Sequence, residues 1–96
     1  MPSDIIRLEA KSAYTLVYFD GQPPFTVSKV LKTFEELLRP YGFVRTHRSY
    51  LVNRLFVRSI LGDTISMQDA FVAEICRRNK RCIIRQLNGN GHVAAG

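Results

Sequence analysis

The sequence predicts a mainly β fold: antiparallel strands in small sheets, with one short α-helix over about residues 28–39. Three observations point there. Short runs rich in β-branched and aromatic residues recur along the chain, such as Tyr14–Phe19 and Thr64–Met67. Turn signals separate them, with Asp20-Gly21 and Gly62-Asp63 the clearest. Only one segment carries a convincing helical stripe: Val30, Leu31, Phe34, Leu37 and Leu38.

Each element follows from local chemistry. Ile5–Glu9 reads as a short strand, and the small, polar Ala10–Ala13 as a loop. Tyr14–Phe19 is the strongest strand. Asp20-Gly21 opens a hairpin that Pro23-Pro24 lengthens, and Phe25–Val27 is the return strand. Ser28 is positioned to cap a helix, its oxygen accepting from free backbone N–H groups. Lys29, Lys32, Glu35 and Glu36 fall on the wet side of that helix. Pro40 and Gly42 end it near Arg39. Beyond Phe43, strands are expected at Tyr50–Val52, Leu55–Leu61, Thr64–Met67 and Phe71–Ile75. Cys76–Arg85 fits either a basic loop or the start of a terminal helix through Ile83, Ile84 and Leu87. Residues 88–96 have no core-forming pattern and read as a tail, leaving 1–87 as one domain.

Length and composition agree with one small domain. Ninety-six residues, 46% hydrophobic and 23% charged, suit a single modest core. The net charge is +6, and its distribution is more informative than its size. Residues 1–44 balance five basic groups against five acids. Residues 45–96 hold nine basic groups and only Asp63, Asp69 and Glu74. All nine fall in two acid-free windows: Arg45, Arg48, Arg54 and Arg58, then Arg77, Arg78, Lys80, Arg81 and Arg85. Eight of the nine are Arg, the residue suited to bidentate contact with phosphates and guanine edges. A polyanion partner accounts for this better than a merely solubilising face.

Cys76 and Cys82 lack CxxC spacing and a nearby His, so they read as buried reduced thiols rather than a metal site. MPSDIIRLEA has no signal-peptide pattern, and no apolar run approaches membrane-spanning length. A cytoplasmic protein that does not contact the membrane is expected. Catalytic constellations are thin. His47 is the only histidine outside the tail, the acids form no dyad, and no glycine-rich loop follows a strand. Neither a cofactor, a metal nor a small-molecule substrate is expected. The one clear helix exposes two Lys and two Glu, which makes it a poor recognition helix. If this chain reads nucleic acid, loops of a β scaffold must do it.

FVRTHRSYLVN, from Phe43 to Asn53, concentrates the signal. Arg45, His47 and Arg48 stand among β-forming residues with no acid nearby, and neither face of a strand there would be cleanly apolar. Phe43, Val44 and Tyr50–Val52 read as anchors, and Arg45–Ser49 as a presented loop. This stretch resembles the signature of the LytTR-type DNA-binding domain, the output module of many bacterial response regulators. Asp4–Ala10 is similar to that family's early strand, and Val30–Leu38 to its Leu-rich helix. Ala73-Glu-Ile-Cys-Arg-Arg78 resembles its late apolar–Ser–Arg–basic segment. The likeness spans about residues 4–85, with two departures. The family usually has another strand before Asp4–Ala10, and Cys76 stands where Ser is common. A thiol beside Arg77 and Arg78 raises the prospect of oxidation.

The resemblance implies sequence-specific binding of duplex DNA through loops, and regulation of bacterial transcription. Arg48, Arg77 and Tyr14 would contact bases. Lys11, Ser12, Arg45, Ser49, Arg78 and Lys80 would contact the DNA backbone. His47 would order the loop and Asn53 would close the turn after the strand. The partner would be double-stranded DNA with repeated short elements, taken by two copies of the domain. Rival readings stand beside these. Tyr14 could pack in the core, and Arg45 could pair with Glu35, Glu36 or Glu74. The whole basic face could instead belong to a protein-interaction module with an acidic partner.

Overall fold

A computed structural model of the chain describes residues 2–88. Eight strands form two antiparallel sheets. They are β1 (Ile5–Lys11), β2 (Tyr14–Phe19), β3 (Phe25–Val27), β4 (Phe43–His47), β5 (Tyr50–Asn53), β6 (Val57–Leu61), β7 (Thr64–Met67) and β8 (Val72–Glu74). The larger sheet has the order β3-β2-β1-β5-β4, and the smaller the order β6-β7-β8. Helix α1 spans Leu31–Leu38 and α2 spans Lys80–Asn88.

Apolar residues cover both faces of the larger sheet. On one face Leu8, Val17, Phe43 and Leu51 pack with Leu31 and Leu38 of α1. On the other, Ile6, Val44 and Val52 meet Ile60, Ile65, Met67, Ala73 and Ile75 of the small sheet and its flank, with Ile83 and Leu87 of α2. A strand buried on both sides has no polar face, so simple alternation breaks down. This corrects one expectation: Arg45, Thr46 and His47 are part of strand β4, and the presented turn is only Arg48-Ser49.

Other boundaries also differ from expectation. Ala10 and Lys11 extend β1, because the next turn is a tight one at Ser12-Ala13 with Lys11 opposite Tyr14. Ser28 does not cap α1. The Thr15 hydroxyl donates to the Lys29 carbonyl (2.6 Å), pinning that segment to β2, and the helix starts after Val30 without a side-chain cap. A turn of 3-10 helix at Arg39–Tyr41 follows α1 and ends at Gly42, whose φ of 86° suits glycine. Arg54–Phe56 is also a 3-10 turn, so strand β6 begins at Val57. The basic segment resolves as a 3-10 turn, Arg77–Asn79, running into α2; Cys76 before it is half-buried and Cys82 is exposed on the helix, not buried as expected. The domain therefore has a second helix where one was expected. Asn88 closes that helix, and the rest of the expected tail lies outside the described residues.

Charge is buried where the two sheets meet. Arg7 of β1 is 5% exposed. Its guanidinium lies 3.9 Å from the Tyr18 ring centroid and 3.7 Å from that of Phe71. Nε donates to Glu9 (3.1 Å) and Nη1 to Asp69 in the β7–β8 turn. Stacking plus two carboxylates offsets the cost of burying the cation.

Candidate nucleic-acid interface

The sheet register gathers two turns at one end of the larger sheet. Ser12-Ala13 joins β1 to β2, and Arg48-Ser49 joins β4 to β5. The Ala10 N–H donates to the Ser49 carbonyl (2.9 Å), binding one turn to the other. The late basic segment docks beside them: the Cys76 N–H donates to the Thr46 carbonyl (2.6 Å) on the outer edge of β4. His47, Asp63, Thr64, Glu74, Ile75, Cys76 and Arg77 line a shallow cleft of about 330 Å³ next to the Arg48 turn.

Arg48 is exposed, and its side chain has no partner among the described residues. Its backbone, by contrast, is firmly held. Arg45 Nη2 donates to the Arg48 carbonyl (2.5 Å) and Arg45 Nε to the His47 carbonyl (3.0 Å). Arg45 Nη1 donates to Glu35 of α1 (2.8 Å). Arg45 thus points inward and ties the turn to the helix. The Ser49 N–H donates to His47 Nδ1 (3.2 Å), which leaves the ring proton on Nε2. The His47 ring rests against Tyr50 at 5.6 Å between centroids.

Tyr14 opens β2 at the hairpin tip and is 40% exposed rather than packed in the core. Lys11 and Ser12 are exposed beside it. Ser12 has a φ of 51°, a left-handed conformation that costs a non-glycine residue energy. Such strain is often retained where a loop does a job. Asn53 is fully buried at the far end of β5. Its Nδ2 donates to the Ile5 carbonyl (2.8 Å) and its Oδ1 accepts from the Leu55 N–H (3.0 Å). It braces the scaffold about 10 Å of strand away from the turn at Arg48.

Arg77 and Arg78 are exposed, and the Arg77 side chain is almost wholly so. Arg77 Nε lies 3.5 Å from Asp63 Oδ2, and Lys80 Nζ lies 2.9 Å from Asp63 Oδ1. Hydrogen bonding and charge from Lys80, with a smaller contribution from Arg77, hold the Asp63 carboxyl below its ordinary value of 3.8. The Asp63 carbonyl also accepts from the Ile75 N–H (2.8 Å), clasping the β6–β7 turn to the late segment.

Asp63 and Arg7 were not singled out in the sequence, whereas Glu35 was named among the candidate partners of Arg45 and meets it at 2.8 Å. Asp63 reads as a turn residue after Gly62, and Glu35 as one of several helix-surface charges. Arg7 and Glu9 alternate with Ile6 and Leu8 like an ordinary wet face. Arg77 and Lys80 are distant from Asp63 in the chain, as Asp69 is from Arg7, so spacing carries no signal for those pairs. Among the described residues no group of His, Cys, Asp and Glu could hold a metal ion.

A family model for the LytTr DNA-binding domain matches residues 1–88. The chain belongs to the LytTr DNA-binding domain family. It is also similar to a solved structure, the LytTr DNA-binding domain of a response regulator from Bacillus cereus. The two share 29% identity, with a TM-score of 0.80 over 92% of this chain and 84% of that one. A search of curated proteins finds no match. LytTr domains bind DNA and are not a catalytic family. No helix among the described residues of this LytTr domain is long and apolar enough to cross a membrane.

Proposed function

We propose that this LytTr domain binds duplex DNA sequence-specifically through its turns and thereby regulates transcription in the bacterial cytoplasm. One observation carries the reading: an exposed Arg48 side chain with no partner among the described residues, on a backbone that Arg45 holds in place. A fixed base with a free planar fork suits bidentate contact with guanine O6 and N7. Arg77 is the second base reader. With Nε directed to Asp63, its two terminal nitrogens remain for a base edge. Tyr14 reaches a base edge or sugar from the hairpin tip.

Lys11, Ser12, Ser49, Arg78 and Lys80 position the domain on phosphates. Lys80 has two further donors beyond the one that meets Asp63. Arg45 acts as a positioning residue rather than a phosphate contact, since α1 and the turn engage it from both sides. Two copies of the domain occupy repeated short elements, one each.

Affinity for duplex DNA measured against salt concentration tests this. The three cationic phosphate contacts, Lys11, Arg78 and Lys80, predict a loss of roughly 40-fold between 50 and 200 mM salt. A basic face meant for an acidic protein would show no preference among duplex sequences, and that result would replace the proposal.

A further inference from the structure

The outward face of α2 carries a basic surface that the reading turns leave unused. Ile83 and Leu87 are buried on its inner side. Arg81 and Arg85, four residues apart, are exposed on the opposite side, and Arg78 precedes them by one turn. None of the three has a partner among the described residues, whereas Arg77 and Lys80 are tied to Asp63. The helix sequence KRCIIRQLN contains no acid to neutralise them.

We propose that Arg81 and Arg85, continuing from Arg78, form a phosphate-tracking rim on the DNA backbone beside the base pair that Arg77 reads. The inference rests on the function proposed above and adds a polarity to it: the rim exists on one flank only. The turn Arg77–Asn79 runs into Lys80 without an intervening loop, so α2 leads directly away from Arg77. At 1.5 Å per residue, Arg81 and Arg85 lie roughly 6 and 12 Å along from Arg77. Guanidinium groups match phosphate oxygens bidentately, and continuity with Arg77 favours DNA over a separate acidic protein.

The test compares the wild-type domain with the Arg81→Gln/Arg85→Gln variant. Both are bound to duplexes containing the preferred element, either ending at the base pair whose preference Arg77→Ala abolishes or extended by half a turn beyond it. On the extended duplex the variant should lower the slope of log affinity against log salt by about two. Its preferred sequence should not change, and on the short duplex the two proteins should bind alike. Equal slopes on the extended duplex would overturn the rim. So would the same loss on both duplexes, or an equal effect when the extension is on the other flank. Wild-type protein that prefers no sequence would instead refute the underlying DNA reading.

Discussion

Arg48 and Arg77 are supported in different ways, and their substitutions should differ accordingly. Removing Arg48 removes only the reading group, because the turn is held through its backbone. Arg48→Ala should cost about 1–3 kcal/mol in DNA binding and relax preference at one position. Unchanged affinity and preference would remove Arg48 from the site. Arg45→Gln should loosen the turn without deleting a phosphate contact. Binding should weaken by about 1 kcal/mol of lost preorganisation while the salt slope holds. A slope lower by about one would show that Arg45 touches a phosphate after all. Thr46 offers a prediction about stability. Its buried hydroxyl has no hydrogen-bond partner among the described residues, a cost that Thr46→Val removes at nearly equal volume. The variant should be more stable by about 1 kcal/mol in chemical denaturation. Asp63 sets a pH dependence. Its carboxyl titrates lower when folded, so its pairing with Lys80 and Arg77 stabilises the fold above pH 3.8 and is lost as pH falls through the depressed value. Carboxyl NMR shifts should show Asp63 titrating below 3.8.

At the scale of elements, the two sheets are joined by Arg7, and the join is testable. Arg7→Ala would leave Glu9 and Asp69 facing each other without the cation and empty the space between Tyr18 and Phe71. The expected loss is about 3–5 kcal/mol, read as a lower unfolding midpoint. Strands with strong propensity and clear turns were legible: Tyr14–Phe19, Phe25–Val27 and Thr64–Met67 have the bounds their residues predict. Elements decided by distant partners were not. The start of α1 depends on Thr15, fourteen positions away, and overrides the cap that Ser28 offers. The strand at Arg45–His47 was hidden because both sides of β4 are covered, one by α1 and the other by the small sheet and α2. The site follows the same rule. The arginines stood out as acid-free windows, and Glu35 was among the partners named for Arg45, whereas Asp63 meets Arg77 and Lys80 only in space.

At the scale of the molecule, the domain has a radius of gyration of 12.3 Å, close to the ~12 Å expected of a compact domain this size. The three segments proposed to read DNA, around Tyr14, Arg48 and Arg77, belong to this one domain. Two such bodies on repeated elements should bind with a stoichiometry of two per duplex, and one on a duplex with a single element, as sedimentation would show. The central claim is that turns at one end of a β scaffold read DNA sequence. Selection of bound sequences from random duplex DNA tests it most directly, run with wild-type, Arg48→Ala and Arg77→Ala proteins. The wild type should enrich a short motif, and each variant should lose preference at a different position within it. Recovery of no motif, or of the same motif from all three proteins, would contradict the account.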